Sequence, residues 1–591
     1  MTEMHELDIP EAGDNRRMGW VSDIAAEMLR RLGIRYIALN PGASYRGLHD
    51  SLVNYLGNRD PQMLLCLHED HPVAIAHGYA KVTGEPMAAV VHSNVGLLHG
   101  LMAVFNAWCD RMPVYLLGAT GPVDAARRRP WIDWIHTAKD QGALLRNFTK
   151  WDDEPRSPEA LVESMLRGAL MARTPPQGPV YLCLDAGMQE TELDEPMEIP
   201  DVARFAPGEP QAASAQAIER AADLLLEAKR PLVLMGRMSR DQADWDNRRR
   251  LAELLGAGVL TDIKIAATFP TDHPLHVGAP SLWLRGERAD ALCQADAVLS
   301  LDWVDLAGTF KSAGLGTDVP AQVISCSVDI HAHNGWSMDH FGLAPSDLTV
   351  HADPDGFVAQ LLAVLEARLD GKPRWSNGTP APQPAEPPEK APDAPLEPID
   401  IGRALAAARG ARRLTLTRVT LGWDASVYHF REPLDFIGYD GGAGLGSATG
   451  ITIGAALALK GTGRLPVAVI GDGDFMQGAT ALWTAARYRI PALFVIANNR
   501  SNFNDEIHQE ATARVRGRPV ENKWIGQRID DPPIDIAALA RAQGIEAEGP
   551  VECWGALSQA IEAGLVAVEA GRPHLIDVWV EPGYNTPLVT R

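Results

Sequence analysis

Leu465-Pro466-Val467-Ala468-Val469-Ile470 runs into Gly471-Asp472-Gly473, and twenty-four residues later, after Leu493-Phe494-Val495-Ile496, the chain reads Asn498-Asn499. The two apolar, β-branched runs predict buried strands, and a helical stretch from about 479 to 488, ended by Pro491, separates them. This is one βαβ unit. A right-handed parallel crossover brings both strand ends to the same edge of a sheet, so Asp472 and Asn499 can converge there. A carboxylate and an amide oxygen suit a hard cation that completes its octahedron with diphosphate oxygens, the usual mode of Mg²⁺. Gly471 and Gly473 let backbone N–H groups approach a phosphate closely.

The rest of the chain repeats the α/β rhythm. Residues 35–39, 63–67, 88–91 and 114–117 predict strands, with a helix over about 72–82. Further strands fall at 231–235 and 297–301. Nine prolines between 373 and 398 exclude a helix or central strand there. The expected organisation is a polar extension (1–17), a first domain (18–195), a central domain (196–370), a Pro-rich linker (371–398) and a third domain (399–591). The fold class is α/β, with three doubly wound parallel-sheet domains. Functional residues should then gather at the carboxyl ends of strands.

At 591 residues the chain has room for roughly three to four domains. A formal net charge of −22 argues against binding nucleic acid or an anionic membrane. The six cysteines form no Cys-x-x-Cys pair, which reads as buried thiols in a reducing cytosol. No secretory h-region is visible, and no apolar run nears the ~20 residues that span a bilayer. The expectation is a cytoplasmic protein acting on a small molecule.

Gly-Asp-Gly followed by Asn-Asn at this spacing resembles the diphosphate-binding signature of thiamine diphosphate (ThDP) enzymes. The order of the three blocks resembles the ThDP decarboxylase and synthase superfamily, in particular benzoylformate decarboxylase-like enzymes. Asn40-Pro41-Gly42, Leu67-His68-Glu69, Gly78-Tyr79-Ala80, His92-Ser93, Asn106-Ala107-Trp108 and Ala481-Leu482-Trp483-Thr484-Ala485-Ala486 carry that resemblance. It implies ThDP and Mg²⁺ as cofactors. It also implies a homodimer or homotetramer whose active sites lie between subunits. The FAD found in some synthases is not expected, because the stretch after Asp302 lacks the pattern associated with it.

The resemblance assigns roles by position. Glu69 becomes the acid that protonates the cofactor's pyrimidine nitrogen, and a dry pocket would raise its pKa toward the working range. Leu445, within Gly441-Gly442-Ala443-Gly444-Leu445-Gly446, becomes the prop beneath the folded cofactor. Gly471, Asp472, Gly473, Asp474, Asn499 and Ser501 become the diphosphate and metal site, with Asp472, Asn499 and the Ser501 carbonyl on the ion. Thr417 and Thr420 are further diphosphate candidates. His92 becomes a proton shuttle facing substrate, while His99 reads as packing. Ser44, His71 and Asn94 join His92 as substrate-side candidates. The family decarboxylase has a serine directly after Asn-Pro-Gly; here Ala43 stands there and Ser44 follows. Arg127-Arg128-Arg129 could clamp an anion, or brace a loop or a subunit contact.

The implied reaction is attack of the cofactor ylid on a 2-oxo acid, loss of CO₂, and release of an aldehyde or of a carboligation product. An acetolactate synthase-like carboligase, a C–C lyase on a 2-hydroxy ketone or acyl-CoA, and a non-catalytic ThDP-fold sensor or scaffold stand as alternatives.

Overall fold

The structure, a computed structural model, describes residues 7–11, 16–329, 342–375 and 390–583. Most of the N-terminal extension and residues 376–389 of the expected linker lie outside the described residues. Among the described residues sixteen strands form three sheets, and every strand pair in them is parallel.

The first sheet holds β1 (Tyr36–Leu39), β2 (Gln62–Leu65), β3 (Met87–Val90), β4 (Val114–Thr120), β5 (Trp151–Asp153) and β6 (Val180–Asp185), in the order β2-β1-β3-β4-β6-β5. The second holds β7 (Pro231–Met235), β8 (Gly258–Leu260), β9 (Ala297–Leu301), β10 (Gln322–Cys326) and β11 (Leu348–Val350), ordered β11-β10-β9-β7-β8. The third holds β12 (Arg413–Arg418), β13 (Arg464–Gly471), β14 (Leu493–Asn498), β15 (Glu546–Val551) and β16 (His574–Trp579), ordered β12-β13-β14-β16-β15.

Central strands such as β4, β9 and β14 read as continuous apolar runs, as expected where both faces of a parallel sheet are covered. In β1, Tyr36 and Ala38 enter one core while Ile37 and Leu39 enter the other. The first of these cores is shared: it continues through Ile451, Ile453, Phe475, Leu482 and Phe494 of the third domain. The helices Asp70–Thr83 and Ala448–Leu459 cross at the seam. A methyl group on Gly78 would collide with the Ile451 carbonyl, and one on Gly454 with the Ile75 carbonyl, so the close crossing requires glycine at both. This gives the Gly78-Tyr79-Ala80 motif its physical reason.

Two local expectations change. β2 stops at Leu65 rather than Leu67, and Leu67 is exposed in the turn that follows. The helix after β13 begins directly at Asp472, not near 479, and a 3₁₀ turn at Ala479–Ala481 joins it to the helix Leu482–Tyr488. Asp472 therefore occupies the first helical turn, where the helix dipole favours negative charge.

Candidate active site

The loops after β1, β2 and β3 bring three of the expected residues together. Glu69 is the N-cap residue of the helix Asp70–Thr83, and its side chain retains 14% exposure. Gly96, in the first turn of the helix Asn94–Cys109, lies between Glu69 and His92. A Cβ at Gly96 would stand 3.1 Å from His92 Cβ and 3.2 Å from both Glu69 Cγ and Oε1. A side chain there would crowd both groups, so glycine eases the close approach of the helix start.

Ser44, displaced by one position from the family pattern, nevertheless reaches the cluster. Its Oγ is 2.8 Å from His92 Nδ1 and accepts the Ser93 N–H at 3.2 Å. Donation from that hydroxyl to Nδ1 satisfies both groups and leaves the imidazole proton on Nε2. On the other side His136 packs edge-on, with ring centroids 4.5 Å apart. Burial pushes the His92 pKa down to about 4; His136 adds to the effect and Glu69 opposes it. His92 is thus a neutral imidazole near pH 7. Asn94 donates to the Ile135 carbonyl at 3.3 Å, which ties the His136 loop to the helix.

The second cluster forms at the ends of β13 and β14. Gly471 pairs in register with Ala497, so Asp472 and Asn498 follow side by side. Asn499 Oδ1 accepts the Ser501 N–H at 3.0 Å, and Ser501 Oγ donates to Glu506 Oε1 at 2.6 Å. Burial raises the Asp472 pKa to about 6, while N–H groups of Gly473, Arg500 and Ser501 pull it down. A buried carboxylate of this kind favours an adjacent cation. A Cβ at Gly471 would meet no atom within 4 Å, so space is open beside it for a phosphate. The donor set, all oxygen, fits Mg²⁺ and a diphosphate.

Leu445 is 42% exposed at the tip of its glycine-rich loop. Asn106, fully buried, holds that loop through bonds to the Gly444 N–H (3.2 Å), the Gly444 carbonyl (3.1 Å) and Ser447 Oγ (3.2 Å). Asp474 braces it from the other side.

Several expectations are revised. The Asp474 carboxylate accepts the Gly446 N–H and pairs with Arg418, each at 2.8–2.9 Å. Arg418 also pairs with Asp440 and lies over the Tyr439 ring. His71 is buried at the seam between domains, bonded to Thr480 Oγ1 at 2.8 Å, because its helix packs on the third domain there. It does not join His92. Thr417 is buried and bonded to Thr452, a core role. Of the arginine run, Arg128 bonds to the Pro122 and Val123 carbonyls and Arg129 pairs with Asp133, so both brace their own loop.

Two residues at the site carry no role in the sequence reading. His136 gains its place only through the fold, beside the His92 ring. His99 is not packing: its side chain is 61% exposed and its Nδ1 lies 3.0 Å from Glu69 Oε2. The spacing Gly96, His99, Gly100 puts all three on one helical face, and that signal was readable.

Models of thiamine pyrophosphate enzymes match the chain in three places: the N-terminal TPP-binding domain over residues 19–144, the central domain over 218–309 and the C-terminal TPP-binding domain over 419–578. Benzoylformate decarboxylase of Pseudomonas aeruginosa is 26% identical over 580 residues, covering 95% of this chain and 99% of that protein. The probable acetolactate synthase large subunit of Methanocaldococcus jannaschii is 24% identical, covering 94% and 91%. In fold, the crystal structure of benzoylformate decarboxylase from Polynucleobacter necessarius superposes with a TM-score of 0.80 at 22% identity, over 97% of this chain and all of that one. With three matched domains in the family's order, the chain belongs to the thiamine pyrophosphate enzyme family.

Proposed function

We propose that this protein is a ThDP- and Mg²⁺-dependent enzyme that decarboxylates a 2-oxo acid, giving an aldehyde or a carboligation product. The observation that carries the reading is the pairing of two unlike clusters, Glu69 with His92 in the first domain and Asp472 with Asn499 in the third. Bound ThDP would supply the electron sink that lets a 2-oxo acid lose CO₂. Asp472, Asn499 and the Ser501 carbonyl would hold the ion, and the Gly471 and Gly473 backbone would receive the diphosphate. Leu445 would support the cofactor from its loop. Glu69 would hold a proton at the pyrimidine nitrogen. His92, oriented by Ser44, would move a proton to or from the reacting carbon through Nε2. Asn94 would hold the His136 loop beside it.

The same reading places each site between two copies of the chain. Asp70 bonds to Ser447 of its own third domain, while the preceding residue, Glu69, turns toward His99 and solvent. Exposed Leu67, Leu98, Met102 and Leu445 offer an apolar surface for a second copy. The six cysteines are free and four are buried, which supports a cytoplasmic setting.

A screen of purified protein with ThDP, Mg²⁺ and a panel of aromatic and aliphatic 2-oxo acids tests the proposal. CO₂ release with an aldehyde product is the expected result. Carboligation without free aldehyde would favour the acetolactate synthase-like alternative, and ThDP binding without turnover on any substrate would contradict the proposal.

A further inference from the structure

We propose that Arg418 is a positioning residue for the reaction: by bridging Asp440 and Asp474 it fixes both ends of the glycine-rich loop that presents Leu445. The proposal rests on the role given to Leu445 above. β12 and β13 slip register between Leu416 and Arg418, and a bulge of this kind redirects a side chain at a strand end. The Arg418 side chain is buried, with the residue 2% exposed. Its Nη1 donates to Asp440 Oδ1 and its Nη2 to Asp474 Oδ2, each at 2.9 Å. The Tyr439 ring lies against the guanidinium, its centroid 3.4 Å from Cζ.

Each carboxylate anchors one end of the loop. Asp440 opens it: the Asp440 carbonyl accepts the Ala443 N–H at 2.8 Å, and the Tyr439 carbonyl just before it accepts from Lys81 of the first domain. Asp440 Oδ2 is buried with no hydrogen-bond partner among the described residues, so this carboxylate depends on Arg418. Asp474 closes the loop, accepting the Gly446 N–H at 2.8 Å from its place on the helix Asp472–Gly478. A Cβ at Gly478 would stand 1.9 Å from the Gly446 carbonyl oxygen, so the loop end and this helix touch backbone to backbone. Between the two ends Ala443 has a φ of +51°, a left-handed conformation that alanine keeps only where its surroundings impose it. The clamp supplies that constraint.

A plainer role for Arg418 is to neutralise two buried carboxylates. Geometry separates the two roles. Neutralisation needs one positive charge nearby. The clamp needs a planar fork whose two arms reach separate acceptors, and lysine lacks it. Asp472 begins the same helix that carries Asp474. One guanidinium therefore braces both the loop that presents Leu445 and the helix that opens on the Asp472 cluster. A shift of either end displaces the reacting groups, and a misplacement of about 1 Å is worth roughly 100-fold in rate.

Two variants of the full-length protein test the clamp. Arg418→Lys keeps the charge and loses the fork. Arg418→Met combined with Asp440→Asn removes one charge of each sign, so the balance around Asp474 is kept and the fold is protected from an unpaired buried carboxylate. Both should keep the wild-type far-UV circular dichroism, and the double variant its melting temperature as well. With ThDP, Mg²⁺ and the 2-oxo acid turned over fastest in the panel above, both should lose ~10–100-fold in kcat with KM little changed. Hydrogen exchange on cofactor-free protein supplies the second readout: the amides of residues 443–446 should be protected in wild type and lose protection in both variants. A double variant with wild-type kcat would overturn the proposal and leave Arg418 the neutralising role alone. Loop amides already unprotected in wild type, or equally protected in the variants, would overturn it too. Wild-type protein that neither binds ThDP nor turns over any acid of the panel contradicts the function proposed above instead, and the exchange measurement, made without cofactor, then decides the clamp by itself.

Discussion

The first and third domains are both parallel sheets covered on both faces, and they present opposite chemistry at their strand ends. After β1, β2 and β3 stand Ser44, Glu69 and His92, with His136 alongside: groups that carry and exchange protons. After β13 and β14 stand Asp472, Asn499 and Ser501: oxygen donors of the kind that suits a hard cation. Burial drives the key group of each cluster toward its neutral form, His92 down to about 4 and Asp472 up to about 6. Near pH 7 the imidazole is therefore neutral, while the carboxylate stays largely ionised and its burial favours an adjacent cation. One architecture thus serves two tasks, and the residues placed after the strands decide which.

Four substitutions probe that division of labour, from the largest expected effect to the smallest. Glu69→Gln should lower kcat by ~10²–10⁴-fold, the usual worth of a positioned acid, while leaving ThDP affinity nearly unchanged by calorimetry. Asp472→Ala should do the reverse. It should weaken Mg²⁺-dependent ThDP binding by more than ~100-fold, the order expected when one partner of a buried charge pair is removed at about 3 kcal/mol or more. If either variant shows the other's phenotype, the comparison fails.

Asp70→Asn addresses the seam between the domains. Burial raises the Asp70 carboxyl to about 6, against bonds from Ser447 and the Ala103 N–H that lower it. Its folded pKa exceeds its ordinary value, so the native state loses stability as pH rises from about 4 to about 6 and carries the whole penalty above that. The asparagine should gain about 1 kcal/mol above pH 6, because the group is partly open to solvent. Denaturant melts at pH 4 and 7 measure this; an equal effect at both values would contradict it.

His136→Gln should have the smallest effect. Removing the neighbouring ring raises the His92 pKa from its depressed value near 4. With neutral His92 as the working form, the acid limb of kcat/KM should lie below pH 5 in wild type and move upward in the variant. An acid limb that stays in place would remove His136 from the environment of His92.

Much of this arrangement was legible in the sequence, for reasons that differ by residue. The apolar runs around Gly471-Asp472-Gly473 and Asn498-Asn499 fixed a parallel pair, because buried strands of a covered sheet read as unbroken hydrophobic stretches. Glu69, His92, Gly78 and Asn106 followed from short motifs near strand ends or helix crossings. The contact of His71 with Thr480 was not legible, because proximity to Glu69 in sequence says nothing about which side of the helix faces the third domain. The bracing role of the Asp474 carboxylate was not legible for a similar reason: its partners Arg418 and Gly446 lie 56 and 28 residues away. His136 lies on an irregular loop, where no periodicity predicts the direction of a side chain.

The central claim is that each active site draws Glu69 from one copy of the chain and Asp472 from another. Mixing the two inactive variants, Glu69→Gln and Asp472→Ala, under conditions of subunit exchange tests it most directly. In a mixed dimer one site carries both lesions and the other carries none. Random pairing should therefore return about a quarter of wild-type activity. No recovery, with subunit exchange verified by mass, would mean that one chain supplies both residues to its own site and would contradict the account.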